Sequence, residues 1–149
     1  METVWKVLAL SAGGVVGVNA RFWLGHWMNR WASPDFPWAT FTINVTGSFA
    51  IGFLTVLLAR WLPHPHLRLL LVTGLLGGYT TFSAYSFESL SLWERGDRWA
   101  AAAYVVGSVL AGLAAVTVGV MLARYAAPEV DEPAVVKAGG PGPGEEGRV

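Results

Sequence analysis

The sequence predicts an all-α membrane protein with four transmembrane helices, the third of them broken. Three observations carry this. Of 149 residues, 54% are hydrophobic and only 13% charged, about half the charged share of an ordinary soluble domain. The apolar residues gather in four runs, Thr3–Trp27, Trp38–Trp61, Leu67–Trp93 and Trp99–Tyr125. Each meets the roughly 20 residues needed to cross a hydrocarbon core. All eight tryptophans (Trp5, Trp23, Trp27, Trp31, Trp38, Trp61, Trp93 and Trp99) lie at or near the ends of these runs, where membrane proteins place their aromatic belts.

Composition also excludes. The formal net charge is zero, so nothing suggests a nucleic-acid partner. There is no cysteine, hence no disulfide and no thiolate metal site. His26, His64 and His66 form no metal-ligand pattern with a carboxylate. Met1-Glu2 lacks the basic start of a signal peptide and the first run shows no cleavage site, so that run is expected to be retained.

The first run carries Gly13 and Gly17, then Asn19 and Arg21. Two glycines four apart let another helix come close. Arg21 either snorkels to the interface or lines a vestibule and raises the local anion concentration. The link Ser33-Pro-Asp-Phe-Pro37 leads into the second run, which holds Thr40, Asn44, Gly47 and Ser48. Asn44 is an uncharged amide well inside a span. It can bond a neighbouring helix, or turn its N–H donors to an anion without adding charge.

Pro63-His-Pro-His66 leads into the third run, whose centre reads Gly74-Leu-Leu-Gly-Gly-Tyr-Thr-Thr-Phe-Ser83. Glycine weakens a helix most, and threonine hydroxyls compete for backbone hydrogen bonds. A break at membrane depth follows, and its freed backbone must be buried in protein or line a wet cavity. Such breaks can hold an ion; a packed kink without one is the alternative. Phe82 and Tyr85 share a face, either as packing or with their electropositive edges toward an anion. Glu88 is the only carboxylate inside the four runs. It is a functional candidate by position, unless it reaches the interface. The fourth run places Tyr104, Ser108 and Gly112 along one face, beside Gly107, Ala111, Ala115 and Gly119.

The links are short, so consecutive helices are antiparallel neighbours. Residues 1–126 are expected to form the transmembrane channel domain and 127–149, rich in Gly, Pro and Glu, a disordered C-terminal tail. Near span ends, Lys6, Arg60, Arg68 and Arg124 lie on one side, and Arg30, Arg95 and Arg98 on the other. That balance gives almost no positive-inside preference. Either orientation is set by other means, or the chain inserts both ways up and pairs as an antiparallel homodimer.

The spans offer hydroxyls, an amide, aromatic edges and one arginine. They offer no proton-relay series, no Gly-x-Ser-x-Gly elbow and no phosphate-cradling loop. An enzyme is therefore not expected. An anion or small-solute pore is.

The stretches Gly13-Gly-Val-Val-Gly-Val-Asn-Ala-Arg21-Phe22, Thr40 through Asn44 to Gly47-Ser-Phe49, and Gly74 through Ser83 followed by Glu88 resemble, in order and spacing, the motifs of the Fluc/CrcB family of fluoride channels. The resemblance runs through all four spans. It implies a multi-pass protein of the bacterial-type cell inner membrane. It further implies a dual-topology antiparallel homodimer with two fluoride pores and a central structural Na+. The ligands of that sodium ion are backbone carbonyls, here of Gly77 and Thr80. Phe82 and Tyr85 correspond to the aromatic box that meets fluoride, Asn44 to a donor to the ion, and Thr81, Ser83, Tyr104 and Ser108 to the polar path. Arg21 and Glu88 fall within the same motifs. The chain departs from the family pattern at Tyr85, where phenylalanine is usual, at Gly112, where some members carry serine, and at Trp38-Ala39, where glycine commonly precedes the threonine.

The physics agrees. Fluoride is small and tightly hydrated, so a pore must replace its water with close donors. The rival readings are a small proton-coupled dual-topology exporter and a membrane scaffold. The exporter needs a carboxylate deep in its chamber, whereas the first two runs have none.

Overall fold

The computed structural model describes residues 1–127, and no strand occurs among them. Four spans are long and apolar enough to cross a membrane: Glu2–Met28, Trp38–Trp61, Pro65–Glu94 and Arg98–Ala126. We label Glu2–Met28 α1 and Trp38–Trp61 α2. The third span is two helices in line: α3, residues 65–79, and α4, Phe82–Glu94. Arg98–Ala126 is α5.

α3 begins at Pro65, whose missing N–H costs nothing at a first helical position. Its middle, Leu69–Leu76, is π-helical, a wider ladder frequently found at functional sites. The helix stops where Thr80 (φ −80, ψ 156) and Thr81 (φ −150, ψ 118) become extended. The expected break is therefore present and falls on the two β-branched threonines. The glycines before it stay helical.

Gly78 and other glycines serve packing between the helices. A Cβ on Gly13 would lie 2.1 Å from the Leu70 carbonyl oxygen, and one on Gly17 2.0 Å from that of Leu75. Reciprocally, a Cβ on Gly78 would lie 3.0 Å from the Gly14 carbonyl oxygen. α1 and α3 thus touch backbone to backbone, the close approach that small residues permit in membranes. α2 and α5 cross in the same manner. A Cβ on Gly52 would lie 2.4 Å from the Val116 carbonyl oxygen, and one on Gly119 2.3 Å from that of Phe49.

One buried cluster, Leu92, Ala101 and Tyr104, joins α4 to α5, with Phe36, Phe41 and Tyr85 packed around it. At the far end of the bundle, the Arg60 guanidinium donates to the carbonyls of Arg124 and Ala127, tying the end of α2 to the end of α5. Ala127 is itself buried, so the folded part includes it. The rest of the expected tail lies outside the described residues. Large apolar side chains such as Val15, Phe22, Leu110 and Met121 remain exposed on the outside of the bundle, a surface suited to lipid or a partner.

Candidate functional site

The break at Thr80-Thr81 releases backbone groups from the helical ladder, and two side chains from other helices, with the Thr81 hydroxyl, take them up. Asn44 of α2 makes a two-sided clamp. Its Oδ1 accepts from the Thr81 N–H at 2.9 Å, and its Nδ2 donates to the Thr81 carbonyl at 3.0 Å. Arg21 of α1 donates from Nη1 to the Thr80 carbonyl at 3.4 Å. Thr81 Oγ1 caps α4 by accepting from the Ala84 N–H at 3.2 Å, as an N-cap threonine does. A broken span with its freed groups satisfied inside the protein is tolerable in lipid.

The break separates two cavities, and Thr81 lines both. The smaller, about 370 Å³, is bounded by Asn44, Ser48, Gly77, Phe82, Tyr85 and Ser108 among others. Asn44 has a second amide N–H, for which no further partner stands among the described residues. Ser108 Oγ is buried and has no hydrogen-bond partner among the described residues, a state that asks for an explanation in a native protein. The rings of Phe82 and Tyr85 stand 5.5 Å apart, tilted by 40°, and Phe82 is 78% exposed in the single subunit. The hydroxyl that distinguishes Tyr85 from phenylalanine donates to the Val105 carbonyl at 3.2 Å, which anchors the ring to α5. Beside Gly112 stands Ser48 Oγ, 3.5 Å from where a Cβ would be. A hydroxyl from α2 therefore adjoins the position that lacks one on α5.

The larger cavity, about 660 Å³, takes in Arg21, His26, Thr40, Ser83 and Glu88. Glu88 is held inside the bundle. Thr40 Oγ1 donates to one carboxylate oxygen at 2.8 Å and Tyr104 OH to the other at 2.7 Å. Hydroxyls from two other helices meet this one carboxyl group, so the triad pins α2, α4 and α5 together at one level.

The structure thus brings Asn44, Thr81, Phe82, Tyr85 and Ser108 to one cavity, and Arg21, Ser83 and Glu88 to the other, with Thr81 between. Arg21 neither snorkels nor hangs free; it bonds the break. Tyr104, assigned to the polar path by resemblance, is fully buried and meets that path through Glu88. Sequence reasoning missed three pairings: Thr40 with Glu88, Ser48 beside Gly112, and Thr46 with the Tyr79 hydroxyl at 2.9 Å. Only a polar residue facing inward on each helix could have signalled them, and helical phase is poorly fixed where every face is apolar.

Residues 8–120 match the model of the family described as CrcB-like protein, Camphor Resistance (CrcB). The chain belongs to this family. Its relatives include a protein of Rhodospirillum centenum, 47% identical over 121 residues that cover 80% of this chain and 96% of the relative. A second, from Rhizobium meliloti, is 45% identical over 123 residues, 79% of this chain and 95% of the relative. A third, from Nitrobacter winogradskyi, is 44% identical over 119 residues, 79% and 94%. All three are named fluoride-specific ion channel FluC. The family resemblance read from the motifs is therefore confirmed across the four spans.

Proposed function

We propose that this chain is a passive fluoride-selective channel that lowers cytoplasmic fluoride across a bacterial-type cell membrane, working as an antiparallel dual-topology homodimer. The observation that carries this is the Thr81 wall clamped by Asn44. Two cavities meet there, and the smaller is lined by the neutral donors Asn44, Thr81 and Ser108 and the rings of Phe82 and Tyr85. The relatives' naming as fluoride channels supplies the ion.

In this reading the anion exchanges water for the spare Asn44 N–H and the hydroxyls of Thr81, Ser83 and Ser108, with the ring edges of Phe82 and Tyr85 turned to it. The orphaned Ser108 hydroxyl is suited to the role, since it has no other partner among the described residues. Arg21 raises the anion concentration in the larger cavity. Glu88 keeps Tyr104 and Thr40 oriented along the route. Neutral donors hold the ion closely without trapping it.

A structural sodium ion fits the break in part. The Thr81 N–H, which would close the next helical turn on Gly77, goes to Asn44 instead. The Gly77 carbonyl thereby loses its helical donor, which supports a cation there. The Thr80 carbonyl is also off the ladder, yet it already accepts from Arg21. Gly77 and Thr80 are the residues we assign to hold Na+, which supplies a fixed positive charge that offsets the cost of bringing an anion to the midplane. The conducting unit expected over 1–126 is assigned with Ala127 added, and 128–149 are assigned as a tail outside it.

The exporter reading is weaker. Proton coupling needs a carboxylate open to its chamber, whereas both oxygens of Glu88 are taken by hydroxyls. Efflux from proteoliposomes loaded with fluoride or chloride tests the ion. Fluoride is expected to leave and chloride to stay; equal rates for both would reject fluoride selectivity. Cysteines introduced singly into the cysteine-free chain test the dimer. Each one at a span end is expected to label from both sides of the cell membrane, and one-sided labelling contradicts dual topology.

A further inference from the structure

A second space lies beside the larger cavity and takes no part in the permeation route above. A cleft of about 410 Å³ lies between the first link and α4, and Asn29, Ser33, Pro37, Glu88, Ser91 and Arg95 line it. Asn29, Pro37 and Glu88 also line the larger cavity. The two spaces are therefore adjacent across one wall, and the cleft faces the end of the bundle where the first and third links lie.

Arg95 stands in this cleft with an exposed side chain. Among the described residues its guanidinium makes no hydrogen bond or ion pair. Of the other arginines at this end, Arg30 does not line the cleft, and two are committed. Arg98 lies over the Trp93 ring at 5.3 Å, and Arg21 bonds the Thr80 carbonyl. Of the acidic groups at this end, Asp35 is turned to the Ser33 hydroxyl at 2.7 Å, while Glu94 and Asp97 do not line the cleft. A guanidinium on the outer side, Arg95, and one on the inner side, Arg21, give the approach past Glu88 a positive charge at each end.

We propose that Arg95 is the collecting residue of a lateral mouth, drawing small hydrated anions through the cleft past Asn29 and Ser91 into the larger cavity. This rests on the channel reading above. A charge at such a mouth acts through long-range attraction, which salt screens. The Debye length is about 30 Å at 0.01 M salt and about 8 Å at 0.15 M.

The test is fluoride efflux from liposomes holding equal amounts of purified dimer, at low and at high ionic strength. At about 0.01 M salt, Arg95→Gln is expected to slow efflux about three- to fivefold and Arg95→Glu about tenfold or more, while Arg95→Lys keeps most of it. Near 0.3 M salt the differences are expected to shrink to within about twofold. Arg98→Gln, on the same end but outside the cleft, is expected to stay within about twofold of wild type at both salts. Wild-type efflux in Arg95→Glu at low salt overturns the lateral mouth. So does an equal loss in Arg98→Gln, which would make the effect one of net charge. Wild-type protein without any fluoride efflux would instead sink the channel reading, and this inference with it.

Discussion

Asn44→Asp is expected to reduce fluoride efflux by at least about 100-fold while the protein still elutes as a dimer. The substitution keeps an oxygen for the Thr81 N–H but replaces the donor that faces the Thr81 carbonyl. Two acceptors then oppose each other, and leaving a buried carbonyl unpaired costs about 1–3 kcal/mol. The new carboxylate also stands in the cavity where the anion should pass, and about 2.7 kcal/mol of repulsion alone gives the 100-fold loss. Asn44→Ala removes both halves of the clamp and is expected to lose conduction and part of the fold together. The pair separates the roles. Aspartate shows what a charge does to the path, and alanine shows what the clamp does for the break. Wild-type efflux in Asn44→Asp would remove Asn44 from the path.

The largest effect on stability is expected at Gly17. Its Cβ would stand 2.0 Å from the Leu75 carbonyl oxygen and 2.9 Å from the Tyr79 nitrogen. Both are backbone atoms and cannot swing aside. Overpacking a tight contact ordinarily costs about 1–3 kcal/mol, and here two helices must separate. Gly17→Ala should therefore sharply lower the yield of folded protein and its melting temperature in detergent. Gly77→Ala is the contrast. No atom lies within 4 Å of a Cβ at Gly77 in the subunit, so the subunit should fold with alanine there. A loss of dimer in Gly77→Ala then reports a partner's approach at that position, and Gly17→Ala with wild-type melting would mean that α1 and α3 are not locked as described.

Much of this was legible in the sequence because lipid imposes few solutions. Run length, tryptophan position and short links give four antiparallel helices almost without choice. Gly13 and Gly17 were readable as a close-approach face because small-residue spacing has one common use in a membrane. The break was readable in kind, but its place was not. Glycine-glycine is the weaker helix former, yet both Gly77 and Gly78 stay helical, and α1 packs closely on Gly78. The threonines leave the ladder because Asn44 and Arg21 receive their backbone groups. Those receivers come from other helices, so no local pattern marks them. The same holds for Glu88. Its position hinted at function, but the two hydroxyls that hold it sit 48 and 16 residues away in the chain. The exposure of Phe82 makes sense only with a second subunit or lipid against it.

The central claim is passive fluoride conduction, and the fluoride reversal potential tests it most directly. Purified protein in a planar bilayer is given a fluoride gradient with pH and sodium equal on both sides. The account predicts a current that reverses at the fluoride equilibrium potential and keeps that reversal when a pH gradient or a sodium gradient is added. Replacing sodium on both sides by a bulky organic cation should lower the current, and returning it equally to both sides should restore it. A reversal potential that moves with the proton or sodium gradient would contradict the account and make the protein a coupled transporter.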